Sequence, residues 1–532
     1  MNSAYTKIYN FALGFIRILS VIFSGMLFVS AFFSTCYSLD MTSQEVLTRL
    51  DRPVISITGM AAMGAVMLII VSFFSRGSEK RIKIFIIMAI IWCLIAGAAL
   101  ILFSKTVPAA DAMSVYSIAE SLAANDTSVI HPTESYLSYY PQQVGLVAFF
   151  EILIRLWKLL PTSLPAYHMI KCLYVALACI CLILGYLIVH MLWNDKRKEL
   201  CFIALSVFNF PFIMYTSFVY GEIPSYTALL AGIYFLLRLL HASSRRSILY
   251  ALSGLLFFTL SVLLRKNSLI VIIAVVIVAL LQAVRDKRAI LAAFACLCAV
   301  LSVTILPLTE KYYEYRSGSE IGSGVTAMAY FAMGMQESSR GNGWYNGFNF
   351  ETYQISGMNT ETANEISLSA ISERLEYFKE NPTYALSFYL HKYLSQWADG
   401  TYASRQATLA TFGGRRPFWD NIYSGKYSAA YIEYCNIYQN ILYLGALIFF
   451  AAELRRHCAA KKAPEDSTCK NLSELSLYIN LIAVFGGFLF HMVWEANSRY
   501  IFVYGMLLLP YSASGLAELF SLSDRLKGGS SL

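Results

Sequence analysis

Long apolar runs recur along almost the whole chain, and they constrain its fold more than any other feature. A helix needs roughly 20 consecutive apolar residues to cross the hydrocarbon core of a bilayer. Runs of that kind lie near 11–33, 54–74, 84–103, 167–193, 201–219, 223–240, 248–264, 268–284, 289–306, 436–452, 474–493 and 499–519. The composition agrees: of 532 residues, 57% are hydrophobic and 14% charged, where a soluble domain carries about 25% charged residues. The expectation is an all-α polytopic membrane protein of about twelve spans, with 11–33 long enough to remain as a span. The formal charge of +8 suits loops beside anionic lipid. No long basic block interleaves with aromatics outside the spans, so nucleic acid is not an expected partner. The eleven cysteines include Cys93, Cys172, Cys179, Cys181, Cys201, Cys296 and Cys298 inside apolar runs. They form no zinc-type pair and read as packing residues.

The topology turns on 142–158. The positive-inside rule puts five basic connections on the cytoplasmic side: Arg76/Lys80/Arg81/Lys83, Lys196/Arg197/Lys198, Arg245/Arg246, Arg285/Lys287/Arg288 and Arg455/Arg456/Lys461/Lys462. The spans alternate correctly only if 142–158 does not cross. It carries Glu151, Arg155 and Lys158, so it is expected to lie on the outer surface as a juxtamembrane helix. Twelve spans with both termini inside then follow. The domain division is a bundle over 1–306 with a first outer loop at 104–166, an outer soluble or juxtamembrane domain of α or mixed type over 307–435, and C-terminal spans with a short cytoplasmic tail over 436–532. Within the outer domain, Ile366, Ile371, Leu375 and Phe378 predict an amphipathic helix over 360–378, stopped by Asn381-Pro382. An aromatic stretch at 384–397 predicts a second helix. The outer loop 104–140 is acidic, with Asp111, Glu120, Asp126 and Glu134 against Lys105.

Four places could carry chemistry, all expected on the outer side. Asp111, just past the third span, reads either as a general base or as the N-cap of a helix over 112–123. Glu222 lies in a short turn between two spans, where an ionisable group is costly and points to function; a solvated turn residue is the other reading. Arg265 and Lys266 run against the positive-inside trend. A phosphate would satisfy them, Arg as a planar fork and Lys as a point charge; a partner carboxylate or lipid headgroup would too. The segment Trp494 to Tyr500 adds Glu495, Arg499 and Tyr500 at the mouth of the last span, as site residues or as interfacial anchors.

These residues resemble those of the GT-C superfamily of polytopic glycosyltransferases, in particular the bacterial relatives of protein O-mannosyltransferases and aminoarabinose transferases. The resemblance rests on Asp111 early in the first outer loop and on Tyr139-Tyr140-Pro141-Gln142 as a Tyr-Pro-Pro-like juxtamembrane segment. It rests further on Glu222 as a second acid at a later outer turn, and on Glu495 followed by Arg499-Tyr500 as a Glu-x-x-x-Arg-Tyr-like opening of a late span. Gln142 stands where that segment has its second proline, Glu222 where the acid is Asp, and the first two spans look like an N-terminal addition. The Trp-Trp-Asp-Tyr-Gly signature of oligosaccharyltransferases is missing.

The resemblance implies transfer of a sugar from a polyprenyl-phosphate donor to a cell-envelope glycan, lipid or protein, on the outer face of a bacterial plasma membrane. Asp111 would act as base or position the acceptor, Glu222 would support acceptor or metal binding, and Arg265, Lys266 and Arg499 would hold the lipid phosphate. Glu495, Tyr500, Tyr140 and Gln142 would line the substrate. No cofactor is expected, a divalent metal being possible in the superfamily but not favoured. The Gly-rich stretch Gly343-Trp344-Tyr345 would stack on a sugar, or is an ordinary surface turn. Two other readings stand beside this one. An O-antigen-ligase-like or polymerase-like enzyme would use lipid diphosphates and draw on His391, Arg405, Arg415 and Arg416. A lipid-linked-sugar flippase would line a path with cations, yet Arg17 and Arg238 are among few charges inside the spans, and no matched halves are evident.

Overall fold

The computed structural model describes residues 3–38, 45–76, 79–133, 135–242, 245–411, 413–460 and 475–529. Glu134, Lys461 and Lys462 fall outside them. The chain is an all-α polytopic membrane protein, its only departure among the described residues being one small hairpin and two isolated bridges.

Helix α1 (Ser3–Phe33) leads into the hairpin of β1 (Ser34–Ser38) and β2 (Val46–Leu50), antiparallel with Cys36 opposite Thr48. Helices α2 (Pro53–Ser75) and α3 (Glu79–Ser104) follow. Then come the short α4 (Asp111–Ala123), α5 (Tyr136–Tyr139) and α6 (Val144–Trp157), and the long α7 (Ala166–Trp193). The next elements are α8 (Lys196–Phe208), α9 (Phe210–Tyr215), α10 (Glu222–His241), α11 (Arg246–Leu264), α12 (Leu269–Asp286) and α13 (Ala289–Ser317). The segment expected on the outer side is helical throughout its regular parts: α14 (Ala327–Met333), α15 (Phe348–Ile355), α16 (Thr360–Glu380), α17 (Pro382–Trp397), α18 (Ser404–Ala407) and α19 (Pro417–Tyr423). Helices α20 (Ser428–Ala460), α21 (Ile479–Val493) and α22 (Ser498–Gly529) complete the bundle.

Among the described residues, ten helices are long and apolar enough to cross a membrane, against twelve expected. The two remaining runs are helical but different. The run 201–219 is split between α8 and α9, because Pro211 cannot donate its missing amide and Asn209 instead caps the new helix through Phe212 N at 3.2 Å. The run 474–493 yields α21, whose 15 residues span about 22 Å. Two domain boundaries also move. The division at 306/307 falls inside α13, which passes Pro307 and stops only at Gly318, φ +71°; that at 435/436 falls inside α20. At the C-terminus α22 continues beyond the expected span to Gly529.

The segment 142–158 is a 3-10 turn over Pro141–Gln143 followed by the 14-residue α6, about 21 Å long. Its charges are used in packing. Glu151 Oε1 accepts from Arg155 Nε at 2.8 Å and Arg316 Nη1 at 2.7 Å, and Oε2 accepts from the Tyr313 hydroxyl at 2.6 Å. The remaining guanidinium N–H groups reach Leu122 O and Asn125 Oδ1. This knot ties α4, α6 and α13 together. Elsewhere in the outer segment, Asn359 caps α16 through Thr362 N at 3.0 Å, and α17 begins at once at Pro382.

The basic connections gather at the other end of the bundle. Lys196 Nζ bonds Ser75 O at 3.0 Å, Arg288 bonds the carbonyls of Leu239, Leu240 and Ala242, and Arg456 pairs with Glu453 and Glu518.

Candidate active site

Asp111 opens α4. The helix begins at Asp111 itself, so the residue is not the N-cap; Ala110 takes that place with no side-chain capping bond. An acid in the first turn is favoured by the helix dipole. Ala110 has φ +48°, a region that costs a non-glycine residue roughly 1–3 kcal/mol. The loop before it is pinned: Val107 N bonds Ala410 O at 2.9 Å, Thr106 bridges Thr411, and the buried Lys171 donates to Thr106 O at 2.8 Å. Asp111 is thereby held within electrostatic reach of Tyr140, Tyr220, Tyr345, Glu495, Arg499 and Tyr500.

Glu222 opens α10 and is buried. Gly221, before it, lies so close to Leu264 O that a Cβ would collide with that carbonyl. The start of α10 therefore packs on the end of α11, and Arg265 meets Glu222 there: Arg265 Nη1 is ion-paired with Glu222 Oε1. Arg499 Nε approaches the same oxygen at 3.7 Å. Arg499 is set by Asn497, whose Oδ1 accepts from Arg499 N at 2.9 Å. Its guanidinium lies 5.7, 5.6 and 5.5 Å from the rings of Phe218, Tyr220 and Tyr500, and that of Arg265 lies 5.9 Å from Tyr500. These are cation–π distances. Neither carboxylate oxygen of Glu222, nor Arg265 Nη1, nor Arg499 Nε forms a well-aligned hydrogen bond with any described residue.

Glu495 sits above this pair. Burial pushes its carboxyl up to about 7, against the pull of Arg499 and of the Tyr500 hydroxyl that donates to it at 3.3 Å. Its loop is locked from the outer segment. Ala496 N bonds Gly343 O at 2.7 Å, and Trp344 bridges Ala496. The buried Lys392 of α17 donates to Trp494 O at 2.8 Å and to Gly334 O. Burial pulls this ammonium down to about 7, opposed by Glu495. Tyr140 lies near Asp111, Glu495 and Tyr345, and burial holds its hydroxyl above the ordinary range. Gln142 lies near the Tyr330 hydroxyl, and the Tyr330 ring stacks on Trp494 at 5.0 Å.

The structure thus brings together Asp111, Glu222, Arg265, Arg499, Glu495, Tyr500, Tyr140 and Tyr345, drawn from segments up to nearly 400 residues apart. Two expected residues face elsewhere. Lys266 lies in the 3-10 turn after Arg265 and within reach of Glu310 on α13, because one residue of a tight turn rotates its side chain away from its neighbour's. Trp344 is buried, with its indole N–H on Ser395 Oγ at 2.9 Å; it anchors the loop, while Tyr345 next to it carries Arg340 over its ring at 5.4 Å. Residues not singled out from sequence join the site: Tyr220, Arg340 and His491, the last buried with its ring 5.5 Å from Tyr500. No sequence signal marked Arg340 or His491; Tyr220 adjoins the Gly221-Glu222 turn. The arginines of the ligase-like reading serve packing. Arg405 donates to Tyr423 O, Ser428 Oγ and Ser38 O, Arg415 pairs with Asp420, and Arg416 covers Phe103. Among the described residues, no three His, Cys, Asp or Glu side chains are placed to hold a metal ion.

No family model and no curated protein matches the chain. Among solved structures, it is similar to the archaeal oligosaccharyltransferase AglB from Archaeoglobus fulgidus in complex with an inhibitory peptide and a dolichol-phosphate, at 15% identity and a TM-score of 0.45, over 84% of this chain and 52% of that one. It is also similar to the apo form of the Archaeoglobus fulgidus oligosaccharyltransferase, at 14% identity and a TM-score of 0.44, again over 84% and 52%. The chain spans about half the length of these proteins, and a likeness at this level assigns neither family nor activity.

Proposed function

We propose that the chain is a membrane glycosyltransferase, moving a sugar from a polyprenyl-phosphate donor to a hydroxyl acceptor of the cell envelope (a glycan, lipid or protein). The observation that carries this reading is the pair of guanidinium groups, Arg265 and Arg499, lodged between aromatic rings and the buried Glu222. Arg265 Nη1 and Arg499 Nε have a charge partner but no well-formed hydrogen bond, and buried polar groups are seldom left so without a functional reason. A phosphate is the ligand that a planar guanidinium matches. With the basic connections at the far end, the positive-inside trend makes the site end the outer one.

In this reading the acceptor hydroxyl loses its proton to Asp111 as its oxygen bonds the anomeric carbon. The bond from that carbon to the phosphate oxygen breaks, and the electron pair leaves with the lipid phosphate. Arg265 and Arg499 stabilise the charge that grows there. Glu222 is the counter-ion that keeps both arginines in place before the donor arrives. Tyr140, Tyr345, Tyr500 and Glu495 border the sugar and acceptor, and Trp344 holds their loop. The reading calls on no cofactor or metal.

The test is sugar transfer by purified protein from a polyprenyl-phosphate donor. Asp111→Asn, folded as judged by its melting temperature, is expected to lower the rate by roughly 10²–10⁴-fold. Undiminished transfer removes the base assignment. Wild-type protein that carries lipid-linked sugar across vesicles without any transfer removes the enzyme reading in favour of transport.

A further inference from the structure

The end of the bundle away from Asp111 holds a second polar concavity. It is a cavity of about 470 Å³ bounded by His190 near the close of α7, Arg238 and His241 in the last turn of α10, and Arg246 and Tyr250 at the opening of α11. Arg238 Nη2 donates to the Tyr250 hydroxyl at 2.8 Å, with its guanidinium 5.2 Å over the same ring. The histidines are oriented from behind: His190 Nδ1 lies 2.7 Å from Glu199 Oε1, and His241 Nδ1 lies 2.6 Å from Leu237 O. Among the described residues, no Asp or Glu lines the cavity. Sixteen residues of α10 separate Arg238 from Glu222, about 24 Å along the helix, so this cavity is distinct from the site around Asp111.

Its surroundings indicate what kind of anion it suits. Helix α11 is long and apolar enough to be a span, and on the flank beside Arg246 it presents Leu249 and Leu256 at seven-residue spacing, 61% and 63% exposed. Residues so spaced share one helix face, and on a span such a face meets acyl chains. Cations above an apolar rail match a phosphate that carries hydrocarbon tails; a soluble anion would have no use for the rail. Basic pockets between spans bind anionic lipid headgroups.

We propose that this cavity seats the phosphate headgroup of an anionic phospholipid in the leaflet at that end, its acyl chains lying along the Leu249–Leu256 face. This site is independent of the reading of the outer site. The probe is the purified full chain in neutral detergent micelles containing either dioleoyl-phosphatidylglycerol or dioleoyl-phosphatidylcholine, with retained lipid counted by native mass spectrometry. Wild-type protein is expected to retain the anionic lipid over the zwitterionic one by on the order of tenfold. Arg246→Glu should reduce that preference to within about twofold. Arg246 is the first residue of α11, where an acid suits the helix dipole, so this variant should melt at the wild-type temperature in phosphatidylcholine micelles. Should it melt early, Arg238→Gln provides the same comparison. Equal retention of both lipids by wild type overturns the proposal, as does full preference in a folded variant. Excess inorganic phosphate that strips the bound phosphatidylglycerol overturns the lipid assignment in favour of a soluble anion.

Discussion

Glu222 and Glu151 invite comparison, since each is a buried carboxylate that faces two arginines. Around Glu151, both oxygens accept hydrogen bonds of 2.6–2.8 Å, and the arginines place their other N–H groups on Leu122 O and Asn125 Oδ1. Around Glu222 two cations face one carboxylate, and the well-aligned hydrogen bonds are not made. Aromatic rings, which attract a cation without accepting a strong hydrogen bond, form the rest of the wall. A buried ion pair stabilises a fold only when its remaining donors and acceptors are satisfied. The first cluster meets that condition and fastens helices. The second does not, and reads as a site held ready for an anion.

Four experiments break or sharpen that contrast, and the largest effect is expected at Glu222's partners. The double change Arg265→Lys with Arg499→Lys, which keeps the charges facing Glu222 but removes the planar forks, should lower transfer by about 10³-fold, equivalent to about 4 kcal/mol, while the melting temperature of the protein without donor changes little. A comparable loss of stability would make the pair structural, like its counterpart. Next, Arg316→Ala should destabilise the protein by about 3 kcal/mol, because it leaves Glu151 under-compensated; denaturation of the detergent-solubilised protein measures it, and transfer by the folded fraction should be unchanged.

Glu495 lies between these extremes. Its carboxyl is raised by burial from its ordinary 4.5 to about 7, so between those values the folded state binds more protons than the unfolded one. Wild-type stability should therefore fall as pH rises from about 4.5 to about 7 and level off above, relative to Glu495→Gln, by about 3 kcal/mol. Melting curves of the two proteins that stay parallel across that range would refute the shift. The smallest effect belongs to Trp344→Phe, which removes the bond to Ser395: about 1 kcal/mol of stability, with the transfer rate kept within about threefold. A loss of 100-fold or more would return Trp344 to the substrate.

The spans were legible because each is a local pattern: a helix in lipid must be apolar over its own length whatever surrounds it. The same locality exposed Glu151, Arg155 and Lys158 as unfit for a crossing and identified α6 as a short helix. Their partners were not legible. Tyr313 and Arg316 lie more than 160 residues further on, and no spacing rule links them to Glu151. Asp111, Glu222, Arg265 and Arg499 could be singled out one by one as charges at costly positions. Their meeting depends on packing of α10 against α11, which the sequence does not state. The split at Asn209-Phe210-Pro211 carried a local signal, the proline, that the surrounding apolar run obscured. Trp344 and Lys266 show the opposite failure: residue type suggested a ligand, and only the rotation of each side chain showed a different neighbour.

Gly221 allows α10 to approach Leu264 O, and Gly145 allows α6 to approach the neighbouring carbonyl of Leu263; at both positions a Cβ would strike the backbone. Two helices therefore rest on the same two residues of α11, immediately before Arg265. A side chain at either glycine would displace that arginine, and a compensating substitution cannot easily arise, because the obstacle is main chain. The two glycines offer a means of finding kin. Descendants of a common ancestor that retain this site should keep small residues at both positions, at the fixed separation from the arginine, long after overall resemblance has faded.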